Sequence, residues 1–538
     1  MKLLRTAALA PGLLLSSTAL AQEPVVNAPS GSVSGTLDGS IREFKGIPYA
    51  VPPVGGMRWR PPAPMQPWTG VRAAKDFGPA CVQSQAKTPV SVYSPAAPML
   101  VSEDCLTLNI WAPANAKKAP VFFWIHGGAL SGGSSREPMY DGKKMAEQGI
   151  IVVSINYRLG VLGWLAHPAL SAESPQKVSG NYGLLDQMAA LAWVKHNIAA
   201  FGGDPAQVTI AGESAGGLSV MFLMESPLAR GTFSKAVAQS AYMVAMPDLK
   251  KSPYGQPSAE AMGTMLAAGL QAPDLAALRG MDAQALTDGA AKLGFFPFGV
   301  VDGLVLPTQM VDAFDQGKQA PVPLLTGFNQ GEIRSLRMLA PKAPDTAADY
   351  EKGIREKYGE FADVFLKLYP AADYKESILA TTRDALYGWT TERLARKQAA
   401  IGQPSYVYFW DHGYPAMNDA GLHAFHASEL PYVFGNLAPL PPKWPAMAEG
   451  DRPLSDALVG YWTSFVKSGT PGADWPAFGK ARNYLHITDT PKAEVGLMPG
   501  MYDQYEAIVC RRRAAGVAWN WNVGLNSPKL PAKAPGCN

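Results

Sequence analysis

A chain of 538 residues, 47% of them hydrophobic, can bury a large core, and this length ordinarily divides into two or three domains. The 47 Lys and Arg against 44 Asp and Glu give a formal net charge of +3, without the clustered basic excess that a phosphate backbone demands, which argues against nucleic acid as a partner. Beyond the first residues no segment offers about 18 uncharged apolar residues in a row, so stable membrane insertion is not expected.

Lys2 and Arg5 precede an apolar stretch over residues 13–20, and Ala19-Leu20-Ala21 leads into Gln22. A charged start, a short apolar centre and a small-x-small exit describe a cleavable export signal over residues 1–21. The expected mature protein is soluble, starts near Gln22 and resides in the periplasm or the medium. Taking Lys2 and Arg5 from the 47 basic residues leaves 45 against 44 acidic ones, a mature charge of +1. Proline and glycine concentrate over residues 48–67, which predicts an extended surface loop. The four cysteines, Cys81, Cys105, Cys510 and Cys537, are an even number in an exported chain and read as two disulfides. Their clustering favours Cys81 with Cys105 and Cys510 with Cys537, the other two connectivities staying open, and neither pair has the spacing of a zinc site.

From there, short β-branched and aromatic runs alternate with helical stretches, the pattern of a mixed sheet covered by helices on both faces. Residues 121–125 and 150–156 are largely apolar, as buried parallel strands are. Between Asn181 and Ala200, Leu184, Leu185, Met188, Leu191, Ala192 and Ile198 recur mostly three or four residues apart, giving one helix with a buried stripe. Gly202-Gly203-Asp204-Pro205 ends it, and further strands are predicted over 208–211, 236–239, 324–327, 406–410 and 484–487. Residues 247–321 are alanine-rich and helical, a candidate lid-side insertion, and 454–466 reads as a late helix. Arg511-Arg512-Arg513 reads as a solvated turn, and the last dozen residues as a loose tail held by Cys537. No internal repeat is present, which argues against a solenoid.

The chemistry concentrates where strand 208–211 runs into Gly212-Glu213-Ser214-Ala215-Gly216 and a helix over 217–224 follows. That is a nucleophile elbow in its strand-turn-helix context, with Ser214 as nucleophile. The turn holds the serine in a strained conformation, and side chains at Gly212 and Gly216 would strike neighbouring backbone. With 53 glycines in the chain such a pattern can arise by chance, so the reading depends on partners. A serine hydroxyl needs a base, and the base an orienting acid, in the chain order Ser, acid, His. Among the seven histidines, His426 and His486 follow a plausible acid. His486, within Tyr484-Leu485-His486-Ile487, alternates with apolar neighbours and reads as a strand residue. His423 lies three residues too early, and His423 with His426 lacks a third metal ligand. For the acid, Glu332 beyond strand 324–327 and Asp302 in Val300-Val301-Asp302-Gly303 both remain open. Oxyanion donors are expected from the amide of Ala215, at the positive end of the elbow helix, and from the loop Trp124-Ile125-His126-Gly127-Gly128-Ala129-Leu130.

These segments resemble the type B carboxylesterases, the family of cholinesterases, liver carboxylesterases and bacterial para-nitrobenzyl esterases. FKGIPYAVPPVGGMRWRPP from Phe44, SEDCLTLNIWAP from Ser102, WIHGGAL from Trp124, NYRLG from Asn156, IAGESAGG from Ile210, GFNQGE from Gly327 and HASELPYVFG from His426 occur in order, together with the long segment from Gly180. The resemblance spans about Val33 to Phe465. It implies an α/β-hydrolase fold, a mostly parallel twisted sheet with helices on both faces and large helical insertions over the active site, as a single domain over 22–538. It implies Ser214 as nucleophile, His426 as base and Glu332, rather than Asp302, as acid. Gly128, Ala129 and Ala215 are then the oxyanion donors. Ala129 stands where many members have a third glycine, a change expected to be tolerated because the amide donates. Cys81–Cys105 resembles the family's N-terminal disulfide, and Cys510–Cys537 has no firm counterpart. The resemblance also implies ion pairs Arg58–Glu103 and Arg158–Asp186, a carboxylate at Glu213 lining the gorge, and a departure at Gly331, where members often place an acid.

The implied activity is hydrolysis of small carboxylic esters through an acyl-enzyme, with no metal or organic cofactor; the oligomeric state stays open. Phe295, Phe296, Phe298, Trp389 and Tyr414 are candidate pocket aromatics. Two rivals are a non-catalytic adhesion protein on the same fold, against which the complete set of catalytic positions speaks, and an amidase, which shares every catalytic part.

Overall fold

The computed structural model describes residues 23–85, 90–95, 97–438, 440–519 and 522–537; the predicted export signal lies outside them. Eleven strands form the main sheet among the described residues: β1 (Thr36–Asp38), β2 (Ile41–Pro48), β3 (Thr107–Pro113), β4 (Ala119–Ile125), β5 (Ile151–Ile155), β6 (Gly203–Glu213), β7 (Lys235–Gln239), β8 (Leu324–Asn329), β9 (Ser405–Trp410), β10 (Asn483–Ile487) and β11 (Lys492–Val495). Across the sheet they lie in the order β1-β2-β3-β5-β4-β6-β7-β8-β9-β10-β11. The stretch from β5 to β10 is parallel. Antiparallel strands flank it on both sides.

Alternation along the strands divides the core between the two faces of the sheet. In β4, Val121, Phe123 and Ile125 enter one apolar cluster, and Phe122 and Trp124 enter the other. The first face is covered by α1 (Tyr182–Asn197), α2 (Ala215–Glu225) and α3 (Trp389–Ala400), through Leu184, Val220 and Leu394. The opposite face receives Leu458, Trp462 and Phe465 from α4 (Arg452–Ser468). Burying a side chain of this size stabilises the fold by about 1.5–3 kcal/mol. The sheet with helices on both faces is thus the one the sequence predicts, with β6 longer at its start than residues 208–211.

Register decides where the chemistry sits. Ile125 pairs with both Ile155 and Gly212, Glu213 with Gln239, and Gln239 with Gly327. The carboxyl ends of β4, β6, β7 and β8 therefore finish level, and the loops that follow them share one edge. Arg158, just past β5, is locked to α1: its backbone amide and Nε donate to Asp186 Oδ2 at 3.0 and 2.8 Å, and Nη2 donates to Oδ1 at 2.7 Å.

Two expectations need correction. Residues 48–67 are not simply surface loop, because Arg58 and Trp59 are buried. Arg58 donates to Glu103 at 2.6 and 2.7 Å, and Trp59 Nε1 donates to the Val161 carbonyl. Trp59 joins Leu266, Leu278 and Leu286 in a smaller core built by the predicted helical stretch 247–321. The arginine run is not a solvated turn: it lies in the helix α5 (Met501–Ala514), with Arg511 and Arg512 each 2% exposed. Buried guanidinium groups persist there because partners meet them. Arg511 binds Glu360 and stacks on Phe361, whereas Arg512 donates to Ser527 and the Asn522 carbonyl. Disulfides join Cys81 to Cys105 and Cys510 to Cys537. No described helix is long and apolar enough to cross a membrane.

Candidate active site

Ser214 stands between β6 and α2 at φ 57° and ψ −121°. A non-glycine residue in such a conformation costs on the order of 1–3 kcal/mol and needs its surroundings to hold it. Its amide donates to the Gln239 carbonyl at 2.9 Å, and its carbonyl accepts from the Leu218 amide at 2.8 Å. The flanking glycines are there for space: a Cβ on Gly212 would lie 2.4 Å from the carbonyl carbon of Gly216, and one on Gly216 would lie 2.1 Å from the Ile125 oxygen.

Glu332 opens a single helical turn, Glu332–Arg334, just past β8, and is fully buried. Its Oε1 accepts from Ser240 Oγ at 2.7 Å and the Asn329 amide at 2.8 Å, while Oε2 pairs in a short hydrogen bond with His426 Nδ1. The structure therefore brings His426 and Glu332 together and sends their competitors elsewhere. Asp302 accepts from the amides of Leu304, Val305 and Leu306, tying its own turn. His423 and His486 both hold Asp411, at 2.8 and 3.0 Å.

The other ring nitrogen, Nε2 of His426, lies 3.1 Å from Glu213 Oε1, in ion-pair range. Among the described residues Ser214 Oγ makes no hydrogen bond to His426. Burial opposes the imidazolium, but the carboxylates of Glu213 and Glu332 outweigh it and lift His426 from 6.5 to about 9. Burial pushes Glu213 up to about 8; His426 pulls it down, and Glu429 and Glu332 add to the rise. Glu429, itself raised by burial, accepts from Gln239 Nε2 at 3.0 Å and Asn329 Nδ2 at 2.6 Å.

Left-handed backbone at Gly128 (φ 105°), Ala129 (φ 55°) and Leu130 (φ 57°) turns the loop after β4 toward the elbow. Ala129 pays for its Cβ there with about 1–2 kcal/mol. The amides of Gly128, Ala129 and Ala215 donate to no protein acceptor among the described residues. Behind them, burial drives His126 down to about 4, so the ring is neutral, and it stacks on Tyr157 at 4.6 Å.

Residues 22–505 match the family model described as the Carboxylesterase family. The chain belongs to that family. A fumonisin B1 esterase of Sphingopyxis macrogoltabida is 38% identical over 84% of each chain. A para-nitrobenzyl esterase of Bacillus subtilis is 34% identical over 87% of this chain and 95% of its own. A solved PNB esterase structure superposes with a TM-score of 0.75 at 31% identity, covering 90% of this chain and 99% of the other. The fold is accordingly that of an α/β-hydrolase, and the protein is a carboxylic ester hydrolase.

Within this carboxylesterase two candidate pocket aromatics belong to the core instead. Trp389 is 1% exposed and donates to Glu506 at 2.8 Å, and Tyr414 is 2% exposed and donates to the Pro445 carbonyl at 2.6 Å. Apolar neighbours bury the rings while each polar tip finds an acceptor, the usual state of a buried Trp or Tyr. Phe296 is 43% exposed against Phe298, and Phe295 borders the smaller core. Sequence reasoning missed the tyrosines around His426. Tyr387 lies with its ring 5.4 Å from the imidazole, on the π-helical turn Asp384–Gly388 that precedes α3. A turn of that kind disturbs the 3.6-residue period and leaves no periodic signal. Gly331 is explained by space: a Cβ would meet the Leu422 and Ala424 carbonyl oxygens at 2.7 and 2.9 Å.

Proposed function

We propose that this carboxylesterase is an exported serine hydrolase working through an acyl-enzyme, with Ser214 as nucleophile, His426 as general base and Glu332 as the orienting acid. The observation carrying the reading is the hydrogen bond that His426 Nδ1 donates to Glu332 Oε2, which leaves Nε2 facing the elbow beside Glu213. To start the reaction Nε2 exchanges Glu213 for Ser214 Oγ, a contact of the kind that tightens when substrate binds. The neutral imidazole takes the hydroxyl proton as Oγ attacks the ester carbonyl, and the amides of Gly128, Ala129 and Ala215 receive the oxyanion. Collapse of the tetrahedral adduct expels the alcohol, protonated by the imidazolium. Water repeats the sequence on the acyl-enzyme and releases the acid.

One sheet drawing strands from Thr36 to Val495 supports a single catalytic domain over residues 22–538. Two disulfides and the leader-like start support export. The names of its relatives make para-nitrobenzyl esters and fumonisin B1 the first substrates to try. Replacing Ser214 with Ala is expected to lower kcat by about 10⁴-fold or more with an unchanged thermal midpoint. Near-parental ester cleavage by that variant would remove the assignment, and matched aryl esters and anilides measure how far amides are accepted.

A further inference from the structure

The loop carrying His426 has little regular structure of its own. Two non-glycine residues in the left-handed region flank the base, His423 (φ 45°) and Ala427 (φ 67°), and such backbone persists only where neighbours over-determine it. Three consecutive carbonyls receive the restraint. Ala424 O accepts from the Gly331 amide at 2.8 Å, Phe425 O from Asn329 Nδ2 at 2.9 Å, and His426 O from the Tyr93 hydroxyl at 2.9 Å. The first two donors belong to β8 and the turn that bears Glu332. The third reaches in from the excursion that the Cys81–Cys105 disulfide closes.

A tyrosine hydroxyl has one proton to give. With that proton on the His426 carbonyl, Ser335 Oγ, 2.5 Å away, must donate to Tyr93. A relay thus runs from Ser335, three residues past Glu332, through Tyr93 to the backbone of His426. The Tyr93 ring stands edge-on to the imidazole, with centroids 6.4 Å apart at 83°, and packs against Phe425 and Trp444. Burial, with the nearby carboxylates of Glu213, Glu332 and Glu429 adding to it, holds the hydroxyl protonated well above the ordinary tyrosine range, against the opposing effect of Ser335.

We propose that Tyr93 is a positioning residue for the base: by taking the His426 carbonyl it sets where the imidazole stands relative to Ser214 and Glu213, which makes the disulfide-closed excursion a working part of the active site. The inference rests on the reading of His426 as general base. A misplacement of about 1 Å at a reacting group can cost up to about 100-fold in rate, and one lost restraint of three should cost part of that.

Tyr93→Phe keeps the ring and removes the proton. On a para-nitrophenyl ester its kcat should fall about tenfold with KM within about twofold of the parent, and the acid limb of its pH profile should move. Ser335→Ala should lower kcat by about threefold with the same signature, and the double variant should be no worse than Tyr93→Phe, because both act through one relay. Unchanged kcat and pH profile in Tyr93→Phe overturn the proposal, as does a raised KM with kcat retained, which would make Tyr93 a substrate contact. Should Tyr93→Phe not fold, Ser335→Ala decides: kcat lowered at constant KM supports the relay, and parental kcat overturns it. An inactive Ser214→Ala beside a fully active Tyr93→Phe removes this inference alone, whereas an active Ser214→Ala removes the catalytic reading beneath it.

Discussion

In the proposed mechanism Glu213, 3.1 Å from His426 Nε2, competes with Ser214 for that nitrogen, and the competition has a pH signature. His426 must be neutral to accept a proton. With its value lifted to about 9, chiefly by Glu213 and Glu332 against the effect of burial, activity should climb as pH rises and reach its plateau well above the ordinary imidazole value. Glu213→Gln removes the largest charge raising the imidazole, so the acid limb of kcat/KM should shift to lower pH and relative activity near pH 6–7 should increase. A steady-state pH profile whose acid limb stays put or moves upward contradicts this electrostatic account. Ser214 and His426, the proposed nucleophile and base, could be nominated from the sequence because the motif dictates residue type and order, whereas Glu332 is preferred to Asp302 only through the family resemblance. Tyr93 and Tyr387 could not: each reaches His426 through packing across more than thirty positions of chain, and no local pattern encodes that meeting.

At the scale of elements, periodicity served well where one face of a strand or helix meets the core, as in β4 and α1, and poorly where polar residues are buried. The three arginines of α5 look like a solvated run by composition, yet Glu360 waits for Arg511, and Asp312 and Asp315 wait for Arg513. A partner that arrives from 150 or more residues away is invisible to any local reading. The Arg158–Asp186 pair, which only the family resemblance implied, is the most deeply buried of these ion pairs, with side-chain exposures of 4% and 0%. Asp186→Asn leaves a buried guanidinium without its counter-charge, and should lower the free energy of unfolding by about 3–5 kcal/mol. Urea or thermal denaturation measures it; a loss under about 1 kcal/mol would mean that water reaches Arg158 in the variant. Activity per folded molecule should be largely kept, because neither group touches His426 or Ser214.

For the molecule as a whole, the disulfides span 24 and 27 residues near opposite ends of the chain and leave most of the sheet without a cross-link. Loops of that size suggest about 3–4 kcal/mol from each bridge. Their functional weight should differ. Replacing Cys510 and Cys537 with Ser should lower the thermal midpoint with kcat within about twofold, whereas replacing Cys81 and Cys105 should lower both, since Tyr93 hangs on that loop. Equal retention of kcat by both pairs of variants would separate the excursion from catalysis. The parallel sheet and its two faces were legible from alternation and apolar runs; the level finish of β4, β6, β7 and β8 comes from pairing register, which only the folded chain specifies.

From β6 onward the strands are laid down across the sheet in the order in which they occur in the chain. Ser214 follows β6, Ser240 follows β7, Glu332 follows β8 and His426 follows β9. On the proposed roles, the nucleophile is therefore made during synthesis long before the groups that would activate it. If the proposed triad holds, a nascent or C-terminally truncated polypeptide that stops short of β9 should neither cleave esters nor be labelled by reagents that seek an activated serine, and hydrolytic power should arrive late and all at once.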